Sequence, residues 1–155
     1  MKPLNLPPYD FRIQGVGETQ MIFDAIRRKY VALTPEEWVR QHFVQFLIQE
    51  RGTPRSLIAI EAGFTYNRMP RRADVIVHGR DGRPLLVAEC KSPDVEIRQS
   101  AFDQIARYNT VLQARYLVVT NGVVHYCCVV DRAGGTNAFL DDLPTYEEML
   151  NVQKS

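Results

Sequence analysis

Two apolar runs on either side of a turn signal constrain this chain more than any other feature. Residues 73–78 and 85–91 are rich in Ala, Val, Ile and Leu, and Asp81-Gly82 lies between them. An Asp-Gly pair between such runs favours a β-hairpin with a two-residue turn. The segment therefore predicts two adjacent antiparallel strands, the second of which is apolar enough to be central in a sheet.

Three charged residues interrupt this predicted hairpin: Asp74, Glu89 and Lys91. A turn centred on Asp81-Gly82 places Asp74 directly opposite Glu89, with Cβ atoms about 5 Å apart. Lys91 projects from the same strand face as Glu89, because side chains alternate along a strand. Glu-x-Lys alone is a weak signal, since a cross-strand Glu–Lys pair is ordinary surface chemistry, and the opposing Asp74 strengthens it.

A helix is predicted on each side of this hairpin. Thr34 is a suitable N-cap and Pro35 takes the first helical position. Glu37 occupies the capping-box position and Gly52 is a suitable end for this first helix. Apolar residues recur at helical spacing over residues 96–113, which predicts the second helix.

The remaining apolar segments complete the fold prediction. Residues 56–65 and 115–120 have strand character, and Asn121-Gly122 predicts a second hairpin. A strand–helix–strand succession favours a right-handed crossover, which makes 85–91 and 115–120 parallel. The order predicts an α/β protein with an αβββαβ core, in which helices flank a mixed sheet. Residues 21–33 are ambiguous between helix and strand.

Length and composition favour one domain. The chain has 155 residues, 45% of them hydrophobic, which is enough for one core. We expect residues 1–155 to form a single domain with an N-terminal arm (1–19) and a C-terminal extension (131–155). Three cysteines, no apolar leader and no stretch long enough to span a bilayer predict a cytoplasmic protein with reduced thiols and no membrane association.

The charge is unevenly distributed, although the formal net charge is only +1. Residues 51–83 contain seven arginines and three acidic residues, whereas residues 131–155 contain five acidic and two basic residues. A basic surface beside the hairpin suits a phosphate backbone. Solvated surface arginines explain the same pattern equally well.

The charged trio also has the chemistry of a divalent-metal site. Mg²⁺ prefers hard oxygen ligands, usually one or two carboxylates with water and substrate phosphate. Asp74 and Glu89 could supply the carboxylates and the backbone carbonyl of Cys90 a third oxygen, and we expect Mn²⁺ to substitute. Lys91 would orient a water and offset the charge of a pentavalent phosphorane.

These residues carry a family resemblance. Asp74 followed by Glu89-Cys90-Lys91 resembles the core of the PD-(D/E)xK nucleases, with Arg-Ala-Asp in place of their Pro-Asp. The segment TPEEWVRQHF (34–43) and the QIARY segment are similar to the N-terminal nuclease domain of type I restriction enzyme motor subunits. The resemblance covers roughly residues 20–126.

The resemblance implies Mg²⁺-dependent hydrolysis of DNA phosphodiester bonds on an αβββαβ core. It assigns Asp74 and Glu89 as metal ligands and Lys91 as the catalytic lysine. A glutamate of the first helix often completes such sites. Glu36 and Glu37 compete for that role, and the resemblance favours Glu37.

The resemblance also implies residues that position the site or the DNA. Gln104 and Tyr108 match a Gln-x-x-x-Tyr motif that follows the catalytic lysine in this group, and they lie one helical turn apart. Apart from the resemblance, Arg71 and Arg72 precede Asp74 and could bind phosphate. Each of these residues has an ordinary structural explanation as a core or surface side chain.

Three functional hypotheses follow. The first is an Mg²⁺-dependent endonuclease acting on DNA, in restriction or DNA processing. Because type I restriction nucleases depend on motor and specificity subunits, such subunits, or a second copy of this chain, are expected partners besides DNA. The second is a non-catalytic nucleic-acid-binding or assembly module that keeps the nuclease fold. The third is an α/β interaction domain without nucleic acid, which the arginine-rich segment disfavours.

Overall fold

The computed structural model describes residues 3–131 and 137–154, which form a mixed α/β architecture. Two short 3-10 turns, at Gly17–Thr19 and Arg55–Leu57, accompany the regular elements. The strands and helices of the described residues are β1 (Ile13–Gln14), β2 (Met21–Asp24), β3 (Lys29–Ala32), α1 (Pro35–Arg51), β4 (Ile58–Tyr66), β5 (Met69–His78), β6 (Pro84–Cys90), α2 (Gln99–Leu112), β7 (Tyr116–Thr120), β8 (His125–Val130), β9 (Asn137–Leu140) and α3 (Tyr146–Lys154).

The strands form two sheets. A small antiparallel sheet has the order β1-β2-β3, and a six-stranded sheet has the order β4-β5-β6-β7-β8-β9. Within the larger sheet β6 and β7 are parallel, and the other neighbours are antiparallel. The elements from α1 to β7 confirm the predicted αβββαβ core and its mixed sheet. The ambiguous residues 21–33 form the β2–β3 hairpin.

Helix α1 begins and ends as its sequence predicts. The Glu37 N–H donates to the Thr34 hydroxyl at 3.0 Å, and Gly52 ends the helix with a φ of +67°, which glycine adopts without strain. The reciprocal half of the capping box is not formed. The Glu37 carboxylate instead accepts hydrogen bonds from Arg27 and Arg40.

The turn between β5 and β6 differs from the two-residue turn expected at Asp81-Gly82. The Gly79 N–H donates to the Arg83 carbonyl at 2.8 Å, which closes the loop. The Gly82 N–H donates to the Gly79 carbonyl at 3.0 Å, and Gly82 has a φ of +81°. The loop therefore holds three residues, with glycine at the left-handed position that such a loop requires.

A β-bulge beside the loop restores the expected register. The pairing of β5 with β6 shifts between Val77 and His78, and Leu85 is the extra residue. Beyond the bulge Val75 pairs with Ala88, as a two-residue turn would also have required. The predicted register is therefore confirmed as far as Val75 and Ala88, although the predicted turn is wrong and the pairing ends before Asp74 and Glu89.

Buried side chains form one apolar cluster on each face of the larger sheet. The cluster on the face covered by α1, called the α1 face, includes Val39, Phe43, Leu47, Val75, Val77, Ala88, Tyr146 and Met149. The cluster on the opposite face, called the α2 face, includes Ala73, Ile76, Val87, Ile105, Leu117 and Val119. Strand β6 contributes to both clusters, so it is buried on both sides, as its apolar sequence predicts.

The ends of the chain and of α2 differ in detail from the expectation. Helix α2 begins at Gln99 instead of residue 96, because its N-cap Arg98 is extended, with a φ of −113° and a ψ of 166°. In the expected C-terminal extension, β9 adds a sixth strand and α3 buries Tyr146 and Met149. Residues 132–136 lie outside the described residues.

The three cysteines are unpaired, as their number predicts. Cys90, Cys127 and Cys128 are buried free thiols. None of the described helices combines the length and the apolar character that crossing a bilayer requires.

Candidate active site

The candidate site lies where β5 and β6 separate. Strand β5 pairs with β4 from Met69 to Val77, but with β6 only from Val75 onward. Strand β6 pairs with β7 through Cys90. The two central strands therefore diverge at Asp74 and leave a fork between them.

Strand β5 is irregular at Asp74. Ala73 and Val75 are two residues apart, and regular alternation would place both on one face. Ala73 instead lies on the α2 face and Val75 on the α1 face. On the neighbouring strand, Glu61 has a φ of +51°, which a residue other than glycine rarely adopts. This irregularity turns Asp74 into the fork, where its Oδ2 accepts the Cys90 N–H at 2.7 Å.

Glu89 and Lys91 border the fork from β6. The Lys91 Nζ lies 3.6 Å from the Glu89 Oε1, and the Lys91 N–H donates to the Thr120 carbonyl at 2.8 Å. The side chains of Asp74, Glu89 and Lys91 are 27%, 24% and 29% exposed, respectively. The structure therefore brings the predicted trio together in a half-buried position that a ligand can reach.

Burial raises the pKa of both carboxyl groups, and the charge of a neighbouring carboxylate adds to the effect in each case. Burial, followed by the charge of Asp74, raises the pKa of Glu89 to about 7, and Lys91 offsets this only in part. Burial is also the main cause of the raised pKa of Asp74, to which the charge of Glu36 adds, while the Cys90 N–H and Arg40 oppose it. The fork thus holds more negative charge than its neighbours neutralise.

The metal-free protein is expected to lose stability as Glu89 ionises. The pKa of Glu89 is about 7 in the folded protein and 4.5 ordinarily, so the folded state binds this proton more tightly than the unfolded state does. The stabilisation from the protonated carboxyl group is therefore fully present below about pH 4.5, and it is lost as the pH rises through 7. We expect a loss on the order of 2 kcal/mol. Urea unfolding in EDTA, at about pH 5 and about pH 8, compares wild type with Glu89→Gln. Identical pH dependence in the two proteins would contradict the prediction.

The two glutamates of the first α1 turn have different surroundings. Burial would raise the pKa of Glu37, but hydrogen bonds from Arg40 and Gln41 and the charge of Arg40 lower it. Glu36 is exposed, and its charge raises the pKa of both carboxyl groups at the fork. The electrostatics therefore link Glu36, the alternative that the sequence left open, to both carboxyl groups of the fork. Glu37, the residue preferred from the sequence, has its carboxylate engaged elsewhere, because two arginines and Gln41 surround it.

Sequence reasoning missed a buried polar network behind the fork. We call it the arginine network, and it consists of Asp24, Arg27, Glu37, Arg40, Gln41 and Glu61. Arg27 bridges Asp24 at 2.6 Å and Glu37 at 2.8 Å. Arg40 reaches Glu61 at 3.2 Å and the Asp74 Oδ1 at 3.6 Å, so it connects the network to the fork.

A weak sequence signal for this network existed. Glu37 and Arg40 are three residues apart on one helix, which is the spacing of an ion pair. Such pairs are usually solvated, and nothing in the sequence indicated that the β2–β3 hairpin would bring Arg27 to the same carboxylate. Only the tertiary structure shows that Arg40 is 7% exposed.

Gln104 and Tyr108 lie on α2 as the motif predicts. The Gln104 Nε2 donates to the Tyr108 hydroxyl at 2.9 Å. The Tyr108 ring packs against Phe64 and Tyr66 of β4, with centroids 5.1 and 5.5 Å apart. Gln104 lines a cleft that also contains Lys91. The pair therefore supports β4 and borders the lysine side of the fork.

Arg71 and Arg72 precede the fork on β5. Arg72 is 73% exposed and lies 3.5 Å from the Glu61 carboxylate. Arg71 is half-buried, and its Nη1 donates to the Pro70 carbonyl at 3.0 Å. The Glu61 carboxylate is itself partly exposed, so its contact with Arg72 is solvated and both arginines can be reached by an anion.

The donor set at the fork fits a hard divalent cation. Among the described residues, no group of three or more His, Cys, Asp and Glu side chains is arranged to hold a metal ion by itself. Asp74 and Glu89 offer two carboxylates whose pKa values are raised mainly by burial, so their ionised forms lack the stabilisation that a cation would give, and the Cys90 N–H binds Asp74. Such a partial ligand set suits Mg²⁺, which usually keeps water and binds substrate phosphate as well.

A mixed sheet with a helix on each face, forked at an aspartate and a Glu-x-Lys segment, has the architecture of the PD-(D/E)xK nucleases. The chain belongs to the family described as the type I restriction enzyme R protein N terminus, whose model matches residues 35–144. This match includes α1, the fork and the Gln104/Tyr108 pair.

Solved structures are similar to the chain in fold. One is a fragment of a protein assigned as the HsdR subunit of a type I restriction enzyme from Vibrio vulnificus. Its sequence is 22% identical and the TM-score is 0.57, and the match covers 77% of this chain and 25% of that chain. This chain therefore spans about a quarter of that relative. A protein from Anabaena variabilis assigned as a DUF820 nuclease is 11% identical with a TM-score of 0.47, over 89% and 88% of the two chains. No curated protein matches the sequence.

Proposed function

We propose that this protein is an Mg²⁺-dependent endonuclease that hydrolyses phosphodiester bonds of DNA. The observation that carries the proposal is the fork, where burial and the charge of Asp74 raise the pKa of Glu89 and Lys91 lies 3.6 Å from the Glu89 carboxylate. Family membership supports the same conclusion. Mn²⁺ is proposed as a substitute for Mg²⁺, because it accepts the same oxygen ligands.

The side chains of the fork have separate roles in this proposal. Asp74 and Glu89, with the Cys90 carbonyl, would hold the metal, and Glu36 would approach from α1. When bound, Mg²⁺ lowers the pKa of a water ligand and neutralises charge that develops on the phosphate. The Lys91 ammonium would orient the attacking water and offset charge on the phosphoryl oxygens. Arg71 and Arg72 would hold the flanking phosphates, and Gln104 with Tyr108 would keep α2 against the site.

The partners of this nuclease are also proposals. The related R-subunit fragment is about four times as long as the region matched here, so its remaining parts have no counterpart in this alignment. We propose DNA as the substrate, with motor and specificity subunits or a second copy of the chain as assembly partners. A nucleic-acid-binding module that keeps the fold but does not cut is the competing function.

Cleavage of plasmid DNA tests the proposal. We expect the purified chain to convert supercoiled DNA to nicked and linear forms with Mg²⁺ or Mn²⁺, and to leave it intact in EDTA, because the fork needs a cation for charge balance. Gel electrophoresis measures conversion, and a gel shift in EDTA measures binding. Binding without cleavage under every metal condition would favour the non-catalytic module. A chain that neither binds nor cuts DNA or RNA would contradict both.

A further inference from the structure

Beyond the fork, β4 and β5 continue as a two-stranded ribbon. Residues 62–73, called the ribbon, pair with each other from Ala62–Ala73 to Tyr66–Met69, and β6 does not pair with this part of β5. At about 3.3 Å per residue, the tip lies roughly 20 Å along the strand from Asp74. The ribbon therefore extends from the candidate active site.

An arginine occupies the tip of the ribbon. Asn67 and Arg68 have φ angles of +50° and +64°, which define a two-residue turn with both central residues in the left-handed region. Glycine is favoured at the second position of such a turn, so Arg68 is held there under backbone strain. Arg68 is exposed to solvent, and within the described residues its guanidinium forms no ion pair.

The ribbon is basic and has one open face. It contains Arg68, Arg71 and Arg72, and no acidic residue lies between positions 62 and 73. Arg72 shares its face with small exposed residues, since it pairs with Gly63 and the next pair on that face is Thr65 with Pro70. A smooth surface with arginines at its edge allows close approach of a polyanion.

The other face of the ribbon is supported. Phe64 and Tyr66 pack edge-on against Tyr108 of α2, with ring centroids 5.1 and 5.5 Å apart. Tyr108 is in turn hydrogen-bonded by Gln104 at 2.9 Å. The ribbon is therefore fixed relative to the fork, and a ligand bound along it has a defined position relative to Asp74.

We propose that the ribbon lies in the major groove of a DNA duplex, with Arg68 and Arg72 on phosphates that border the groove. The major groove of B-form DNA is about 12 Å wide and admits a two-stranded ribbon. The major groove of an RNA duplex is deep and narrow, and a single strand has no groove. The ribbon thus selects duplex DNA, an inference that rests on the proposed action on DNA and names the form of its substrate.

Equilibrium binding in EDTA tests the ribbon without cleavage. Fluorescence anisotropy is measured with a short labelled DNA duplex, its single strand and the RNA duplex of the same sequence. Two variants remove the guanidinium, Arg68→Ala and Arg68→Gly. Glycine adopts the left-handed φ of this position without strain, so the second variant keeps the turn. The matched control is Arg83→Ala, which removes the same charge from an exposed residue in the loop at the opposite end of β5.

We expect both Arg68 variants to bind duplex DNA roughly tenfold more weakly, with a salt slope reduced by about 0.9, while Arg83→Ala resembles wild type. Wild type should prefer duplex DNA to the single strand and the RNA duplex by tenfold or more. Equal effects of the Arg68 and Arg83 variants, or equal affinity for all three nucleic acids, would overturn the ribbon inference. So would the absence of wild-type binding at low salt. Duplex binding through Arg68 without cleavage would overturn the proposed nuclease activity alone.

Discussion

Glu89→Gln is expected to abolish DNA cleavage and, in the same protein, to raise stability without metal. The substitution removes a negative metal ligand, which we expect to lower the cleavage rate by about a thousandfold or more. It also removes a carboxyl group whose pKa is raised to about 7 by burial and by Asp74, so the folded state no longer has to hold that charge at neutral pH. A variant that is inactive yet more stable cannot be explained by misfolding.

Two measurements check this pair of effects. Plasmid cleavage at saturating Mg²⁺ gives the rate, and thermal unfolding in EDTA at about pH 8 gives the stability. Glu18→Gln is the matched control, since it makes the same chemical change at an exposed residue of a short 3-10 turn distant in sequence from the fork. Retained cleavage by Glu89→Gln, or loss of activity together with loss of stability, would refute the assignment of Glu89.

Arg40→Met is expected to destabilise the protein by about 3 kcal/mol or more. Arg40 is 7% exposed and donates to both oxygens of Glu37, so its removal leaves a buried carboxylate with one arginine fewer. It also removes the cation that lies 3.6 Å from Asp74, and the pKa of Asp74 should rise further. The arginine network is thus expected to set both the stability of α1 and the charge of the fork.

A double-mutant cycle separates the ion pair from simple packing. Urea unfolding is measured for Arg40→Met, Glu37→Gln and the double variant. We expect the double variant to lose less stability than the sum of the two single losses, because neither buried charge is then left without its partner. Arg72→Met is the control, because that arginine is 73% exposed and should contribute well under about 1 kcal/mol. Additive losses in the cycle would show that Arg40 and Glu37 are not energetically coupled.

Local chemistry made much of this protein predictable from its sequence. Helix α1 follows from the capping hydroxyl of Thr34 and the left-handed glycine at position 52, both of which act within a few residues. The apolar run of β6 follows from burial on both faces of the sheet. The register that brings Asp74 near Glu89 was also predicted. A three-residue loop with a bulge at Leu85 produces it, instead of the predicted two-residue turn.

The charged trio, the two helices and the order of the strands were therefore determined by the sequence itself, because each depends on turn signals, periodicity or burial of neighbouring residues. The tertiary structure alone decided where the charges point. Asp74 enters the fork because β5 is irregular opposite Glu61, and Glu37 turns away because a distant hairpin supplies Arg27. Contacts of this kind join residues far apart in the chain. Their energies depend on how deeply the side chains are buried, which a local sequence pattern does not show.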